Sequence, residues 1–254
     1  MDVQALKPFL AELTQLSAAV ILKYYRSAEL CVERKADDSP VTVADKEAEQ
    51  AIIRHIHETF PEHGILAEES GNDRVDAEWV WVIDPIDGTK SFITGVPLFT
   101  TLIGLLHCGE PVLGCIHQPV LGQLCIGDNR QTTLNGQPVS VRPARNLADC
   151  TLLASDIVES AKVQDAISWN RLTDSVRMVR TWGDGYGYLL LACGFADIMT
   201  DAVLSPWDIL PVLPVVRGAG AVVTDWQGGA KLPYNSEVAA NPRIHRMVLD
   251  ILLT

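Results

Sequence analysis

The chain has 254 residues, 48% of them hydrophobic and 20% charged, which is long enough for one large domain or two small ones around a buried core. With 32 acidic against 20 basic residues its net charge is −12, which argues against nucleic acid as a partner because phosphate neutralisation needs clustered lysine and arginine. No apolar run is long enough to predict a membrane span, and six scattered cysteines without zinc spacing indicate reduced thiols in a cytoplasmic protein.

The first part of the chain predicts two helices and two short strands. Apolar side chains recur at helical spacing in both helices, and Thr42 with Asp45 matches the pattern of a helix start. The predicted elements are, in order, a helix at 6–25, a strand at 31–35, a loop at 36–40, a helix at 42–60 and a strand at 65–66.

The stretch Trp79–Thr89 joins five apolar residues to two acids, a glycine and a threonine. This order predicts a buried strand that delivers Asp84 and Asp87 to a tight turn, where Gly88 and Thr89 can begin a helix. Nothing in the local sequence neutralises the two carboxylates, and an unpaired buried carboxylate is costly. A cation is therefore expected at the end of this strand.

The rest of the chain changes rhythm near residue 143. Residues 97–141 read as at least four antiparallel strands joined by tight turns, including a hairpin at Asn135-Gly136. From Cys150 onwards strands alternate with helices, and the predicted helices are at 161–172, 185–194, 207–217 and 242–253. We therefore expect an α+β lobe at 1–142 and an α/β lobe at 143–254, with one catalytic cleft between them.

Acids at strand ends and helix starts are candidates for a metal site. Glu68 and Glu69 end one strand, Asp84 and Asp87 end another, and Asp208 lies at the start of a C-terminal helix. An oxygen-only ligand set suits Mg²⁺ or Mn²⁺ and suits zinc poorly. The alternatives are that Asp208 is only a helix cap and that the two glutamates are a solvated strand end.

Gly88 and Thr89 predict an anion site beside these acids. Backbone N–H groups at a helix start are free to receive an anion, and the helix dipole favours negative charge there. Metal-binding acids next to an anion-binding turn indicate phosphate ester chemistry.

At this point the chain resembles the inositol monophosphatase family of Mg²⁺-dependent, lithium-sensitive phosphatases. WVIDPIDGT at Trp81–Thr89 is similar to the family's metal-binding core, DPxDGT, and the resemblance runs from about Lys35 to Asn241. The supporting motifs follow in the family's order: Lys35 before SPVTVADKEAE, EES at Glu68–Ser70, WD at Trp207–Asp208 and GAG at Gly218–Gly220. The resemblance implies a layered αβαβα sandwich, and members of the family are commonly homodimers.

The resemblance also implies two or three metal ions. Glu68, Asp84 and the backbone carbonyl of Ile86 would hold the first ion, and Asp84, Asp87 and Asp208 would hold the second. A third, weaker ion would lean on Glu68 and on water molecules. Two such ions can neutralise the phosphoryl oxygens and stabilise the leaving alkoxide during a direct in-line displacement by water.

The catalytic residues implied by the resemblance surround the same turn. Gly88 and Thr89 would present backbone N–H groups to the phosphate, and Thr89, assisted by Asp45 or Glu68, would orient the attacking water. The alternative for Asp45 is that it is only a helix cap, and the alternative for Lys35 is that it is only a surface charge.

The flanks of the motif look more like the histidinol-phosphatase branch of the family than the inositol branch. A lysine follows DGT, and Gly183-Asp184, Tyr186, Tyr188 and GFADIM are similar to that branch. The implied reaction is hydrolysis of histidinol phosphate in histidine biosynthesis. Inositol-1-phosphate, or another small nucleotide or sugar phosphate, is the alternative substrate, and an inactive metal-binding regulatory protein is a more remote alternative.

Histidinol phosphate carries an ammonium and an imidazole, so its pocket should offer acids. Asp184 and Asp201 are the candidates in the C-terminal lobe, and Asp208 would also border the substrate. The alternatives are that Asp184 caps a helix and that Asp201 is a turn residue.

Overall fold

The computed structural model describes residues 2–35 and 39–254, and these form five layers in the order helix, sheet, helix, sheet, helix. Each sheet is buried on both faces, and the apolar side chains between successive layers form three main cores. The layered αβαβα arrangement predicted from the sequence is confirmed.

Two helices form the first layer, α1 (Val3–Tyr24) and α2 (Val43–Thr59). The side chain of Asp2 caps α1, and Thr42 and Asp45 form the reciprocal capping box predicted for α2. By length and composition alone α1 is apolar enough to cross a membrane, but Leu6, Leu10 and Leu13 are buried against α2 and the first sheet. One face of α1 is thus packed against the rest of the protein.

The second layer is an eight-stranded sheet in the order β10-β9-β8-β7-β6-β5-β3-β4, beside a separate ribbon of β1 (Val32–Arg34) and β2 (Pro40–Thr42). Its pairs are antiparallel except β3 with β5. The strands are β3 (Gly64–Ala67), β4 (Gly71–Asp73), β5 (Trp79–Asp87), β6 (Thr100–His107), β7 (Glu110–Gln118), β8 (Gln123–Gly127), β9 (Thr132–Leu134) and β10 (Gln137–Val139).

The fourth layer is a five-stranded sheet in the order β12-β11-β13-β15-β14. Strand β11 is parallel to β12 and β13, whereas β15 is antiparallel to β13 and β14. The strands are β11 (Thr151–Leu153), β12 (Met178–Arg180), β13 (Ile198–Asp201), β14 (Val222–Thr224) and β15 (Glu237–Ala240).

The remaining helices fill the middle and outer layers. The middle layer, between the sheets, holds α6 and α8, whose leucines and valines reach both sheets. The helices are α3 (Thr89–Ile93), α4 (Ile157–Val163), α5 (Ala166–Ser175), α6 (Asp184–Ala192), α7 (Pro206–Ile209), α8 (Val212–Gly218) and α9 (Pro242–Leu252), with a 3-10 turn at Leu147–Asp149.

Three glycines in register make a track across the first sheet on which the α7–α8 connection lies. Gly104, Gly114 and Gly127 are direct neighbours on β6, β7 and β8. A Cβ at Gly104 would lie 2.8 Å from the Cα of Pro211, and one at Gly114 would overlap the carbonyl oxygen of the same proline. Backbone therefore packs directly on backbone here, and this sets the height of α7 above the sheet.

The structure corrects several predicted elements. The single helix expected at 161–172 is two, α4 and α5, and the one expected at 207–217 is divided by Pro211 into α7 and α8. Strands β2, β4 and β15 were not predicted. Of the loop predicted at 36–40, residues 36–38 lie outside the described part of the chain, and Pro40 already belongs to β2. The division into lobes at residue 142 stays a prediction, although the two sheets lie on either side of it.

Candidate active site

The two acids of the central stretch lie at the end of β5, where its pairing with β6 is irregular. Asp84 is opposite Leu102 and Asp87 is opposite Thr100, so three steps along β5 match two along β6. Such a bulge redirects side chains at the end of a strand. Carboxylate oxygens of Asp84, Asp87 and Asp208 lie within 4.8 Å of one another. The structure thus brings together three of the predicted metal ligands.

Asp208 reaches this cluster from the middle layer. It is the third residue of α7, and its Oδ2 accepts a hydrogen bond of 2.7 Å from the backbone N–H of Ser205. Asp208 therefore caps its helix and also faces the two acids of β5, so the two roles considered from the sequence occur together.

The carboxylates of Asp84, Asp87 and Asp208, here called the acid cluster, accept few hydrogen bonds from the described residues. Asp84 is 2% exposed, and its Oδ1 has no hydrogen-bond partner among the described residues. Burial, followed by the charges of Glu68, Asp87 and Asp208, raises the pKa of Asp84 well above its usual value. Burial likewise raises the pKa of Asp208 to about 7. An orphaned buried oxygen among carboxylates fits a hard divalent cation such as Mg²⁺.

Glu68 directly follows β3, and its side chain forms an ion pair with Lys35, whose role the sequence did not decide. The Nζ atom of Lys35 lies 2.7 Å from Oε1 of Glu68 and 2.7 Å from Oε1 of Glu69. Lys35 is thus an ion-paired residue of the site. Glu68 lies close enough to Asp84 for their charges to interact, and the Ile86 carbonyl belongs to the same strand end.

Glu49 is a residue of the site that sequence reasoning missed. Its carboxylate accepts hydrogen bonds from the backbone N–H groups of Glu69 and Ser70, at 2.9 and 2.8 Å. It therefore fixes the turn that carries Glu68. The available signal was its spacing, since Asp45 and Glu49 lie four residues apart on the same face of α2 as Ala48 and Ile52, which is the buried face.

Gly88 and Thr89 form the turn that begins α3. Gly88 has a φ of 85°, and a Cβ there would lie 2.9 Å from Oδ2 of Asp184. Its carbonyl accepts from the N–H groups of Ser91 and Phe92, so the preceding N–H groups lack a helical partner. The hydroxyl of Thr89 donates to the carbonyl of Ile86 at 3.0 Å.

Asp45, in α2, is fully buried and lies close enough to Glu68 and Glu69 for their charges to interact. Oδ2 accepts from both the backbone N–H and the hydroxyl of Thr42, whereas Oδ1 is unpartnered within the described ranges. Burial raises the pKa of Asp45 to about 7. No hydrogen bond joins it to Thr89 in the described structure, so the predicted assistance stays a prediction.

A cavity of about 320 Å³ extends from the acid cluster into the C-terminal half and is lined by Asp87, Asp184, Asp201 and Asp208. Asp201 ends β13 and is buried, which rules out the turn alternative. Asp184 is the first residue of α6 and has a φ of 51°. The backbone N–H of the next residue, Gly185, donates to Oδ2 of Asp87, which links α6 to the strand end.

Comparisons with known proteins agree on one family. The model of the inositol monophosphatase family matches residues 2–252. The "Bifunctional phosphatase IMPL2, chloroplastic" of Arabidopsis thaliana is 41% identical, over 94% of this chain and 72% of that protein. A "Histidinol-phosphatase" of Chlorobaculum parvum is 38% identical, over 85% and 84%. The crystal structure of the extragenic suppressor protein suhB from Bartonella henselae superposes with a TM-score of 0.90 at 25% identity, covering 98% of both chains.

Proposed function

The chain belongs to the inositol monophosphatase family of phosphatases, and from that premise we propose that it hydrolyses histidinol phosphate to histidinol and phosphate with Mg²⁺ as cofactor. The observation that carries this proposal is the acidic cavity lined by Asp184 and Asp201, which lies beside the Gly88–Thr89 turn, here called the phosphate turn. A substrate whose alcohol carries an ammonium and an imidazole suits such a wall, because buried carboxylates need cationic or hydrogen-bonding partners. The names of several relatives, histidinol-phosphatases at 30–38% identity, support the same substrate.

The metal ligands in this proposal are Glu68, Asp84, the Ile86 carbonyl, Asp87 and Asp208. When bound, Mg²⁺ supplies charge neutralisation at the phosphoryl oxygens and lowers the pKa of the attacking water. Among these ligands, Oδ1 of Asp84 has no hydrogen-bond partner in the described part of the chain, and the bond from Ser205 to Asp208 uses its Oδ2.

The other residues act on the phosphate and the water. The N–H groups of Gly88 and Thr89 donate to phosphate oxygens, since they have no helical acceptor. The hydroxyl of Thr89 orients the attacking water, and Asp45 or Glu68 accepts the proton. Asp184 and Asp201 orient the alcohol so that its oxygen leaves in line with the attack.

Phosphate release tests the proposal directly. We would compare histidinol phosphate, inositol-1-phosphate, fructose-1,6-bisphosphate and adenosine-3′,5′-bisphosphate, each with Mg²⁺ and with EDTA. We expect kcat/KM to be highest for histidinol phosphate and turnover to cease in EDTA. A higher kcat/KM for inositol-1-phosphate would overturn the substrate assignment, and undiminished turnover in EDTA would overturn the metal assignment.

A cytoplasmic homodimer remains part of the proposal. The homodimer rests on the resemblance to the family. The cytoplasmic location is proposed for this chain alone, since the plant relative carries "chloroplastic" in its name. Light scattering of the purified protein at several concentrations decides the oligomeric state, and a monomer throughout would contradict it.

A further inference from the structure

Three parallel strands of the second sheet end beside the cavity. A residue at the end of each strand, or shortly after it, lines the cavity. Asp184 comes after β12, Ser155 after β11 and Asp201 at the end of β13. Strand β11 lies between the other two, so Ser155 stands between the two acids. The carboxyl ends of parallel strands are where ligands bind in open α/β sheets.

Ser155 contacts both neighbours through different atoms. Its Oγ accepts a hydrogen bond of 2.6 Å from the backbone N–H of Asp184, and its own backbone N–H donates to Oδ1 of Asp201 at 2.8 Å. The hydroxyl of Tyr188 donates to the other oxygen of Asp201 at 3.3 Å. Each oxygen of Asp201 is therefore fixed, one of them by Ser155.

The conformation of Asp184 requires such support. Its φ of 51° is a left-handed conformation that a residue with a side chain adopts at an energetic cost. The conformation is held by the Ser155 bond before it and by the bond from Gly185 to Asp87 after it. Gly183 packs so closely on Ser155 that a Cβ there would overlap the serine backbone.

We propose that Ser155 is a positioning residue for alcohol specificity, whose hydroxyl holds Asp184 in a fixed place beside Asp201, around the cationic part of the substrate. This inference rests on the proposed function, since it assumes that the two acids face the alcohol. Ser155 itself carries no charge and need not touch the substrate. Its loss should therefore weaken recognition of the alcohol while leaving the metal cluster and the phosphate turn intact.

The test is Ser155→Ala, with Ser168→Ala as the matched control. Ser168 is also a buried serine of this lobe, but its hydroxyl donates to Oδ2 of Asp165 at 2.8 Å, and it does not line the cavity. We expect Ser155→Ala to raise KM for histidinol phosphate about tenfold, the loss of one hydrogen bond that positions a charged group. The kcat value and KM for inositol-1-phosphate should change little, and Ser168→Ala should leave the ratio of the two KM values as in the wild type.

Two further measurements separate positioning from a general structural effect. Calorimetric binding of histidinol, the product alcohol, should weaken in Ser155→Ala without any turnover. Adding Ser155→Ala to Asp184→Asn should raise KM less than it does in the wild type, because both changes act on the same contact. If Ser155→Ala folds poorly, Ser155→Cys, which keeps the shape and a weaker acceptor, should give an intermediate KM.

The outcomes separate the positioning role of Ser155 from the proposed hydrolysis of histidinol phosphate on which it rests. Wild-type protein that prefers inositol-1-phosphate overturns the proposed function, and the double-mutant cycle on that substrate then decides the positioning role alone. Wild-type protein that prefers histidinol phosphate, with Ser155→Ala raising both KM values equally or acting additively with Asp184→Asn, overturns the positioning role.

Discussion

At the scale of single residues, the site contains two buried carboxylates, Asp45 and Asp84, that each have one oxygen without a partner among the described residues. Asp84 follows five apolar residues at the end of β5 and belongs to the acid cluster. A charged group in that state costs several kcal/mol, so without a cation the carboxyl favours its protonated form. The raised pKa of Asp84, caused first by burial, expresses the same preference.

Asp84→Asn should abolish turnover without unfolding the protein. The amide has nearly the shape of the protonated carboxyl, so the metal-free protein should melt at an unchanged or higher temperature, but the ligand that we propose two ions share is lost. Phosphate release with Mg²⁺ and thermal melting in EDTA are the two measurements. Retained activity would contradict the shared-ligand role, and a large drop in melting temperature would contradict the protonated state.

Single-residue predictions from the sequence succeeded where the local pattern carried the information. The strand WVWVI before Asp84 and the Thr42–Asp45 capping box could both be read over a few residues. Contacts between distant segments could not, such as Lys35 with Glu68 or Gly185 with Asp87, because no local propensity records which loops meet.

At the scale of elements, the glycine track explains why α7 lies near enough to deliver Asp208. Because three adjacent strands have glycine at this position, Pro211 and the start of α8 pack directly against the backbone of the sheet. The sequence predicted one helix across this region. Leu210 and Pro211 both keep helical backbone angles, but Pro211 has no N–H to continue the helical hydrogen bonds, which is the physical reason for the division.

Gly114→Ala should lower both stability and Mg²⁺ affinity. The new methyl overlaps the carbonyl of Pro211, and overpacking of this kind costs about 1–3 kcal/mol while it lifts Asp208 away from the strand end. Leu113→Ala is the control, because that side chain is buried on the opposite face, and a cavity there lowers stability without moving α7. Chemical denaturation and Mg²⁺ calorimetry separate the two effects; equal Mg²⁺ affinity in both variants would contradict the spacing argument.

Helix α1 is fastened to the first sheet by Asp128, in the turn between β8 and β9. Its carboxylate accepts hydrogen bonds from Lys7 at 2.8 Å and Gln4 at 2.5 Å. Although burial acts to raise the pKa of Asp128, these bonds and two backbone N–H groups hold it well below its usual value. The depressed pKa means that the stabilisation is present above pH 4 and is lost as the pH falls further.

Asp128→Asn should therefore lower the free energy of unfolding by about 1–2 kcal/mol at pH 7. The difference from the wild type should shrink below about pH 4, where the aspartate becomes protonated in the unfolded chain. Denaturation curves at pH 7, 5 and 3 measure it, with the exposed Asp76→Asn as control. A difference that stays constant down to pH 3 would contradict the ionic contribution.

Strand β15 shows where prediction of elements failed. Its sequence, EVAA, combines a buried glutamate with small alanines and lacks the alternation of polar and apolar residues that identifies a strand. The strand forms because it completes the sheet between β13 and β14, which is a tertiary cause that local residues do not express.

At the scale of the whole molecule, one ion pair involves the segment that connects the last strand of the first sheet, β10, to the first strand of the second sheet, β11. Arg142 donates to both oxygens of Asp197, whose side chain is fully buried, and the N–H of Thr151 donates to the same carboxylate. Removing one partner of such a pair leaves a buried charge without compensation.

Arg142→Ala should lower the free energy of unfolding by about 1–3 kcal/mol, because Asp197 loses its charged partner but keeps the bond from Thr151, and Arg142 is itself 37% exposed and screened by solvent. The exposed Arg145→Ala is the matched control and should have little effect. Urea denaturation gives the difference, and kcat of the folded fraction should remain near that of the wild type because neither residue of the pair lines the cavity. A loss no larger than that of the control would show that Asp197 is adequately held by Thr151.

The bond between Asp87 and Gly185 connects the two halves of the proposed site. One carboxylate both belongs to the acid cluster and accepts a hydrogen bond from the first turn of the helix that carries Asp184. If this bond couples the proposed Mg²⁺ site to the proposed alcohol site, each ligand must raise the affinity for the other by the same factor, because coupling between two ligands is reciprocal. The concentration of free magnesium would then set how selectively the protein chooses among phosphate esters, in addition to how fast it works.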